Sequence, residues 1–462
     1  MSMMTLQQAA AILDGEVHGD IHVAFEAVST DSRRLRGGEL FVALRGPNFD
    51  GHAFVAAAAQ QGAVAAIVDR VVDSALPQIV VPDTRLALGR LAAAWREQFQ
   101  GVVVGITGSN GKTTVKEMVA SILGQQGPVL ATQGNLNNDI GVPLMLLRMR
   151  PDQHRAAVIE MGANHMGEIA YLTNLVQPDV ALITNAAAAH LEGFGSLEQV
   201  AHAKGEIYQG LRASGTAVVN LDDEFADYWR ELVVDHASVG FGMLPNAEVR
   251  LGEGGVNWAI SEAGYKCSFR IQTPAGDVDV ALNLAGKHNV MNALAATATA
   301  LAAGASLSDV RTGLERMAPV PGRLQPKVTA HGQLVIDDSY NANPHSLRAA
   351  MDVLLQAPGK KILVMGDMAE LGVEAEQLHF QAGAEARSKG IDLLLACGKH
   401  CREAVRGFGA GGRCFTDRRG LIEHLWTLLQ APAHADAVLL VKGSRSASME
   451  EVVQALVSGE GG

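Results

Sequence analysis

The segment Val102-Val103-Val104-Gly105-Ile106-Thr107-Gly108-Ser109-Asn110-Gly111-Lys112-Thr113-Thr114-Val115-Lys116-Glu117-Met118 constrains this chain more than any other. Its apolar, β-branched start predicts a buried strand. A glycine turn follows. Val115, Met118, Val119 and Ile122 then recur at helical spacing, which predicts a helix over 114–123. A strand, a glycine loop and a helix N-terminus together form an anion site, because backbone N–H groups converge there and the helix dipole favours negative charge. Lys112 adds a point charge and Thr113 a hydroxyl for a metal ion. The segment departs from the usual phosphate-loop pattern in one respect. The position five residues before Gly111, where that pattern has glycine, is Ile106, and the glycine falls at Gly108. A turn that merely joins strand to helix is the alternative, disfavoured because Gly111-Lys112-Thr113-Thr114 sits where the motif requires.

With 462 residues, the chain exceeds one ordinary core, so several domains are expected. A formal charge of −12 and a pI near 5.7 leave no overall electrostatic footprint for nucleic acid or an anionic membrane. Cys267, Cys397, Cys401 and Cys414 form no C-x-x-C pair and are expected to be free or buried thiols in a reducing compartment. The N-terminus lacks a basic region followed by an apolar core, and no apolar run is long enough to span a bilayer. These features predict a cytoplasmic protein without membrane insertion.

Residues 1–83 read as a small α/β unit, 84–319 as a central unit carrying the glycine loop, and 320–462 as a third unit after the stiff Pro319-Val320-Pro321-Gly322 joint. In the central unit, apolar runs at 156–160, 179–185 and 216–220 alternate with helical segments, which predicts a mainly parallel sheet covered on both faces. Runs at 256–260, 265–272 and 278–284 predict a short antiparallel sheet beside it. Runs at 334–338, 361–366, 392–397 and 437–441 predict a smaller, Rossmann-like doubly wound domain. Ligands of such sheets sit beyond the carboxyl ends of the strands. The glycine loop, Glu160 and His190 all fall there.

Glu160, at a strand end, suits Mg²⁺ together with Thr113, since that ion takes hard oxygen ligands; a helix cap or a lysine partner is the alternative. His190 alone is a weak candidate. Lys204, in a helical run, reads as an ordinary solvated lysine. Asn289 and Asn292, three apart, could read a base edge or cap a helix. Arg323 could reach a phosphate or lie on the surface. Ser29, Thr30, Asp31 and Ser32 beside Arg33 could hold a phosphate or sugar, or form a polar turn. The residues alone thus support an ATP–Mg enzyme of phosphoryl transfer or ATP-driven ligation. A P-loop ATPase switch is the alternative of a different class; the absence of Asn-Lys-x-Asp counts against GTP.

Several motifs together resemble the Mur ligases of bacterial cell-wall synthesis. These are Thr107–Thr114, Glu160 in Ile-Glu-Met-Gly, Asn185 to His190, Lys204, residues 286–293, Pro321-Gly322-Arg323 and Asp337–Pro344. That family's loop is itself of the shortened type, which accounts for Ile106. The loop at 339–344, Gly366-Asp367-Met368-Ala369-Glu370-Leu371-Gly372 and residues 190–196 are most similar to the branch that joins D-alanyl-D-alanine to UDP-N-acetylmuramoyl-tripeptide. A sister ligase adding a single amino acid is the alternative within the family. The resemblance implies that Gly108, Ser109, Asn110, Gly111, Lys112, Thr113 and Thr114 wrap the phosphates of ATP. It places Asn289 and Asn292 near adenine, Arg323 near the phosphates and Asp338 at the ribose. Thr113 and Glu160 would hold one Mg²⁺, and His190 with a carbamylated Lys204 a second. Lys112, His190, Lys204 and Arg323 would serve catalysis. Ser29 to Arg33, with Asn48, Asp50 and His52, would face the uridine diphosphate, and Asn137 and Asn138 the muramoyl peptide. Tyr340, Asn341, Asn343, Ser444 and Arg445 would bind the dipeptide. A monomer is expected.

Overall fold

The computed structural model describes residues 2–187, 191–261, 264–318 and 320–459. Its centre is a nine-stranded sheet in the order 129–131, 156–160, 102–107, 180–183, 216–220, 237–242, 249–261, 264–273, 276–282. The strands are parallel from 129–131 through 249–261, and the last two pairings are antiparallel. The expected short antiparallel sheet is therefore not a separate sheet. Val249 runs parallel to Phe241 before the same strand turns back against 264–273, so the hairpins extend the parallel sheet at its edge.

Ile106 explains the displaced glycine. It is fully buried, and it pairs with Glu160 on one side and Leu182 on the other. The strand thus continues to Thr107, and the loop that follows is only Gly108–Gly111 before the helix Lys112–Leu123 begins. The helix starts two residues earlier than its apolar spacing predicts, since Lys112 and Thr113 belong to its first turn. Its apolar residues Val115, Met118, Val119 and Ile122 pack with the helix Lys287–Ala302 on one face of the sheet. The opposite face is covered by the helices Gly141–Leu146, Glu168–Val176 and Leu197–Gly205.

The N-terminal unit holds a five-stranded sheet in the order 16–18, 78–80, 63–68, 39–42, 27–29. The helix Thr84–Glu97, capped by Asp83 through the N–H groups of Arg85 and Leu86, joins this unit to the central one. Its apolar side, with Leu88, Leu91 and Trp95, shares one continuous core with Leu6 and Leu13 before it and Met145 and Leu172 after it. The C-terminal sheet runs 325–328, 334–338, 438–442, 361–366, 393–397, 412–415, parallel except for its first strand. Apolar clusters cover both of its faces, as the doubly wound expectation requires.

The expectation of free thiols holds for Cys267 and Cys397 but fails for the other two. Cys401 and Cys414 form a disulfide, their Cα atoms 5.5 Å apart, because the helix Cys401–Phe408 leads straight into the adjacent strand Gly412–Phe415. No helix among the described residues is long and apolar enough to cross a membrane.

Candidate functional site

The carboxyl ends of the central strands open into a large cleft, closed on its far side by loops of the C-terminal sheet. The glycine loop is fixed from beneath. The Ser109 N–H donates to Asn185 O at 2.9 Å, and the Asn110 N–H to Asn185 Oδ1 at 3.0 Å. Thr184 Oγ1 and Asn185 Nδ2 both donate to Asn110 O. Two glycines are required by this packing. Gly108 has φ +139° and a Cβ there would fall 2.0 Å from Thr184 Oγ1; Gly111 has φ +81° and its Cβ would fall 2.5 Å from Asn292 Oδ1. Thr114, by contrast, is buried.

Lys112 lies over the loop, its Nζ donating to Gly108 O at 2.6 Å and Ser109 O at 3.2 Å. Burial lowers its pKa, Glu160 opposes that, and Arg323 adds to it. Thr113 Oγ1 donates to Glu160 Oε2 at 3.0 Å and accepts from Arg323 Nη2 at 2.9 Å. Asn137 Nδ2 donates to the other oxygen, Glu160 Oε1, at 2.9 Å. Asn138 instead caps a local turn by accepting the Gly141 N–H. The backbone of Glu160 is held by Thr132 Oγ1, and Thr132 O accepts from the buried Lys116. Sequence reasoning missed both: the only signal of Lys116 was its charge on a helix that is otherwise largely buried, and Thr132 gave none.

Two buried donors beside the loop, Asn110 Nδ2 and Arg323 Nε, have no hydrogen-bond partner among the described residues. Unpaired donors at a helix N-terminus fit the phosphates of a nucleotide. The hydroxyl and carboxylate of Thr113 and Glu160 fit Mg²⁺. No cluster of three or more His, Cys, Asp or Glu side chains suited to a metal exists among the described residues.

Lys204 corrects its sequence reading. It is 2% exposed rather than solvated, 5.2 Å from the centre of the Phe194 ring. Burial first, and then the Lys112 charge, pull its pKa down to about 7. His190 lies outside the described residues.

Asn289 and Asn292 are buried and bonded to each other, Asn292 Nδ2 donating to Asn289 Oδ1 at 3.0 Å, while Asn289 Nδ2 donates to Ala285 O at 2.6 Å. Both line the cleft, and Asn292 backs Gly111. Asp338 pairs with the buried Lys442 and accepts the Leu324 N–H; burial raises its pKa and Lys442 draws it down. Lys442, a charge at the end of an apolar strand, gave no sign in the sequence of this pairing. Tyr340 lies under two guanidinium groups, Arg323 at 4.4 Å and Arg445 at 6.0 Å from its ring centre. Asn341, Asn343 and Ser444 line the same wall.

The structure does not bring the N-terminal candidates into this cleft. Ser29 and Asp31 form a local turn, and Arg33 grips Asp31 through two bonds, holding its carboxyl at about 2. Thr30, Ser32 and Asn48 are also outside the cleft lining. Asp50 and His52 join an ion network: His52 Nδ1 meets Asp50 Oδ1 at 2.6 Å, its Nε2 accepts the Asp69 N–H, and Arg70 binds Asp50 and Asp69.

Comparison with known proteins identifies the family. Family models match in three places: "Mur ligase family, catalytic domain" over 24–96, "Mur ligase middle domain" over 106–300, and "Mur ligase, glutamate ligase domain" over 322–445. The chain is 48% identical to the UDP-N-acetylmuramoyl-tripeptide--D-alanyl-D-alanine ligase of Escherichia coli K12, with 99% of each chain covered. It is 36% identical to the enzyme of that name from Bacillus subtilis 168, covering 93% of each. Among solved structures, MurF from Acinetobacter baumannii superposes with a TM-score of 0.92 at 41% identity over 98% of both chains. The MurF ligase of Thermotoga maritima in complex with ADP gives 0.78 at 28% identity, covering 93% of this chain and 97% of that one. A loop of the shortened type, a facing carboxylate and full-length identity of this order lead to one conclusion: the chain belongs to the Mur ligase family.

Proposed function

We propose that this protein is an ATP-dependent ligase that joins D-alanyl-D-alanine to UDP-N-acetylmuramoyl-tripeptide through an acyl phosphate, forming the pentapeptide precursor of peptidoglycan. The observation that carries the reading is the end-to-end match to relatives named for that activity, in a chain whose cleft keeps the loop, Glu160 and a buried Lys204.

The tripeptide carboxylate attacks the γ-phosphorus of ATP, giving an acyl phosphate and ADP. The dipeptide amine then attacks the acyl carbon, the tetrahedral intermediate collapses, and phosphate leaves. ATP is needed because a carboxylate is a poor acyl donor. Gly108 to Thr114 cradle the phosphates. Lys112 swings from the loop carbonyls to the γ-phosphoryl, where charge develops. Arg323 reaches the same phosphates from the third unit, with its free Nε available to them. Thr113 and Glu160 would hold Mg²⁺, which when bound screens the repulsion between nucleotide and carboxylate oxygens. His190 and Lys204 are the proposed pair for a second ion. A lysine whose pKa is drawn down to about 7 has a substantial neutral fraction near neutral pH, and the neutral amine is the form that adds CO₂ to become a carbamate.

Asn289 and Asn292 would border adenine and Asp338 the ribose. The 29–33 and 48–52 segments, with Asp50 and His52 shaped by their ion network, would face the uridine diphosphate. Asn137 would orient Glu160 while touching the peptide, and Asn138 would shape the turn beside it. Tyr340, Asn341, Asn343, Ser444 and Arg445 would receive the dipeptide. Domain boundaries at 83 and 319, a monomer and a cytoplasmic location complete the reading. A phosphate-release assay tests it by crossing UDP-muramoyl dipeptide and tripeptide with single amino acids and D-Ala-D-Ala. Release should require the tripeptide and the dipeptide together. Turnover without an amine acceptor would support an ATPase, and turnover with a single amino acid a sister ligase.

A further inference from the structure

The strand Lys361–Gly366 ends in a loop, Asp367–Leu371, whose Ala369, Glu370 and Leu371 line the cleft beside Ser444 and Arg445. Glu370 holds φ +61°, a left-handed backbone uncommon for a residue with a side chain, so the loop's shape depends on its surroundings. Three ties among the described residues contribute to them. The Asp367 carboxylate accepts the N–H groups of Lys399 and His400 at 2.7 and 3.0 Å. The Ser444 N–H donates to Asp367 O at 2.8 Å. The third tie comes from His379, which is 1% exposed and belongs to the helix Ala375–Ser388 behind the loop.

The partners of His379 fix its protonation. Ala375 O, 2.6 Å from Nδ1, can only accept, so Nδ1 carries the hydrogen. The Met368 N–H, 3.0 Å from Nε2, can only donate, so Nε2 offers its lone pair. The imidazole is therefore neutral, in agreement with the downward effect of burial on its pKa, which outweighs the pull of Asp367 upward. The groups facing it are Asp367, 3.8 Å from Nε2, and the His400 ring, 4.9 Å away centre to centre.

We propose that His379 is a positioning residue for the amine acceptor: by accepting the Met368 N–H it holds the 367–371 loop in the shape that completes the dipeptide end of the cleft. The inference rests on the functional reading above. His379 touches no substrate itself. The glycine loop lies across the cleft, and the His379 tie bonds to Met368 and Ala375 rather than to Arg323 or Asp338, so its loss acts first on the acceptor end.

Steady-state kinetics of the full chain test this, with each of the three substrates varied in turn. His379→Leu, which removes the acceptor atom, is expected to raise the KM for D-Ala-D-Ala about ten-fold, the size of one lost buried hydrogen bond. The KM values for ATP and the UDP-linked tripeptide should change less than about two-fold on the same basis. His379→Gln, whose side-chain oxygen reaches the Met368 N–H, should recover most of the loss. Amide hydrogen exchange of a 366–371 peptide should quicken by about ten-fold in His379→Leu, with the strand 361–366 unchanged. Parallel increases in all three KM values, or an unchanged exchange rate in the loop, would overturn the proposal. Failure of the wild-type protein to use the dipeptide at all would instead overturn the functional reading, and the exchange measurement would still decide the tether.

Discussion

Asn343 Nδ2 donates to Asn110 Oδ1 at 2.8 Å, so one side chain of the C-terminal unit touches the phosphate loop directly. The same Asn343 caps its own helix, Pro344–Gln356, by accepting the Ser346 N–H at 2.8 Å. These two roles use different atoms, which makes them separable. Asn343→Asp keeps the acceptor for the cap, so stability should change by less than about 0.5 kcal/mol. It removes the donor to Asn110 and sets two acceptors against each other. A roughly ten-fold or greater loss of kcat/KM for ATP is expected. Asn343→Ala should instead lose about 1 kcal/mol of stability as well. Urea unfolding and phosphate-release kinetics on the pair of variants separate the effects; equal stability losses would show that the cap is not what Asn343 supplies.

The glycine loop makes a sharper demand. At Gly111 the positive φ and the Asn292 Oδ1 contact act together, so Gly111→Ala meets both backbone strain and a clash. Nucleotide affinity should fall by at least about ten-fold, measured by calorimetric titration with ADP. Asn292→Ala opens the space beneath the same Cβ. The double variant should then recover part of the affinity lost in Gly111→Ala. Strict additivity of the two changes would mean that the contact is not the obstacle.

How much of this was legible in the sequence differs from element to element, for physical reasons. The strands at 102–107, 156–160 and 216–220 are short apolar runs buried on both faces, and burial of that kind leaves an unmistakable composition. The strands 129–131 and 412–415 were missed because each has only three or four residues at or near a sheet edge, where one or two apolar side chains suffice. The antiparallel hairpins were found, but their union with the main sheet depends on the register of Phe241 against Val249, which no local pattern encodes. In the site, Lys112, Thr113 and Glu160 were legible from spacing. Lys204 was not: a lysine on a short helix gives no sign that Phe194 will cover it. The Arg323–Thr113 and Asn343–Asn110 contacts join residues more than 200 positions apart and exist only once the units pack.

Burial of Lys204 leads to a prediction about CO₂. The amine is shifted to about 7, so the neutral form that reacts with CO₂ grows as pH rises through that value. Ligase activity of protein prepared without CO₂ should rise on adding bicarbonate at pH 8, and peptide mass analysis should find carbamate on Lys204. Lys204→Ala should lose activity by about 100-fold or more and respond to neither treatment. Full activity in Lys204→Ala would remove the residue from catalysis.

His288 gives the protein a predictable response to acid. It stands at the start of the helix Lys287–Ala302, and burial first, then the charges of Lys442 and His345, pull its pKa down to about 4. In the unfolded chain the same group titrates near 6.5. Between these values the unfolded state binds the proton and the folded state does not, so stability falls as pH drops from about 6.5 towards 4. The full loss from this one group is about 3 kcal/mol at the lower end of the window. Other shielded histidines, among them His345 and His379, act in the same direction, so the total slope does not isolate His288. The difference between proteins does. His288→Gln cannot take up a proton, and its unfolding free energy, measured in urea at pH 7 and pH 5, should fall less than that of the wild type by about 1 to 2 kcal/mol. Identical slopes for the two proteins would mean that His288 is protonated as readily in the folded state as in the unfolded one.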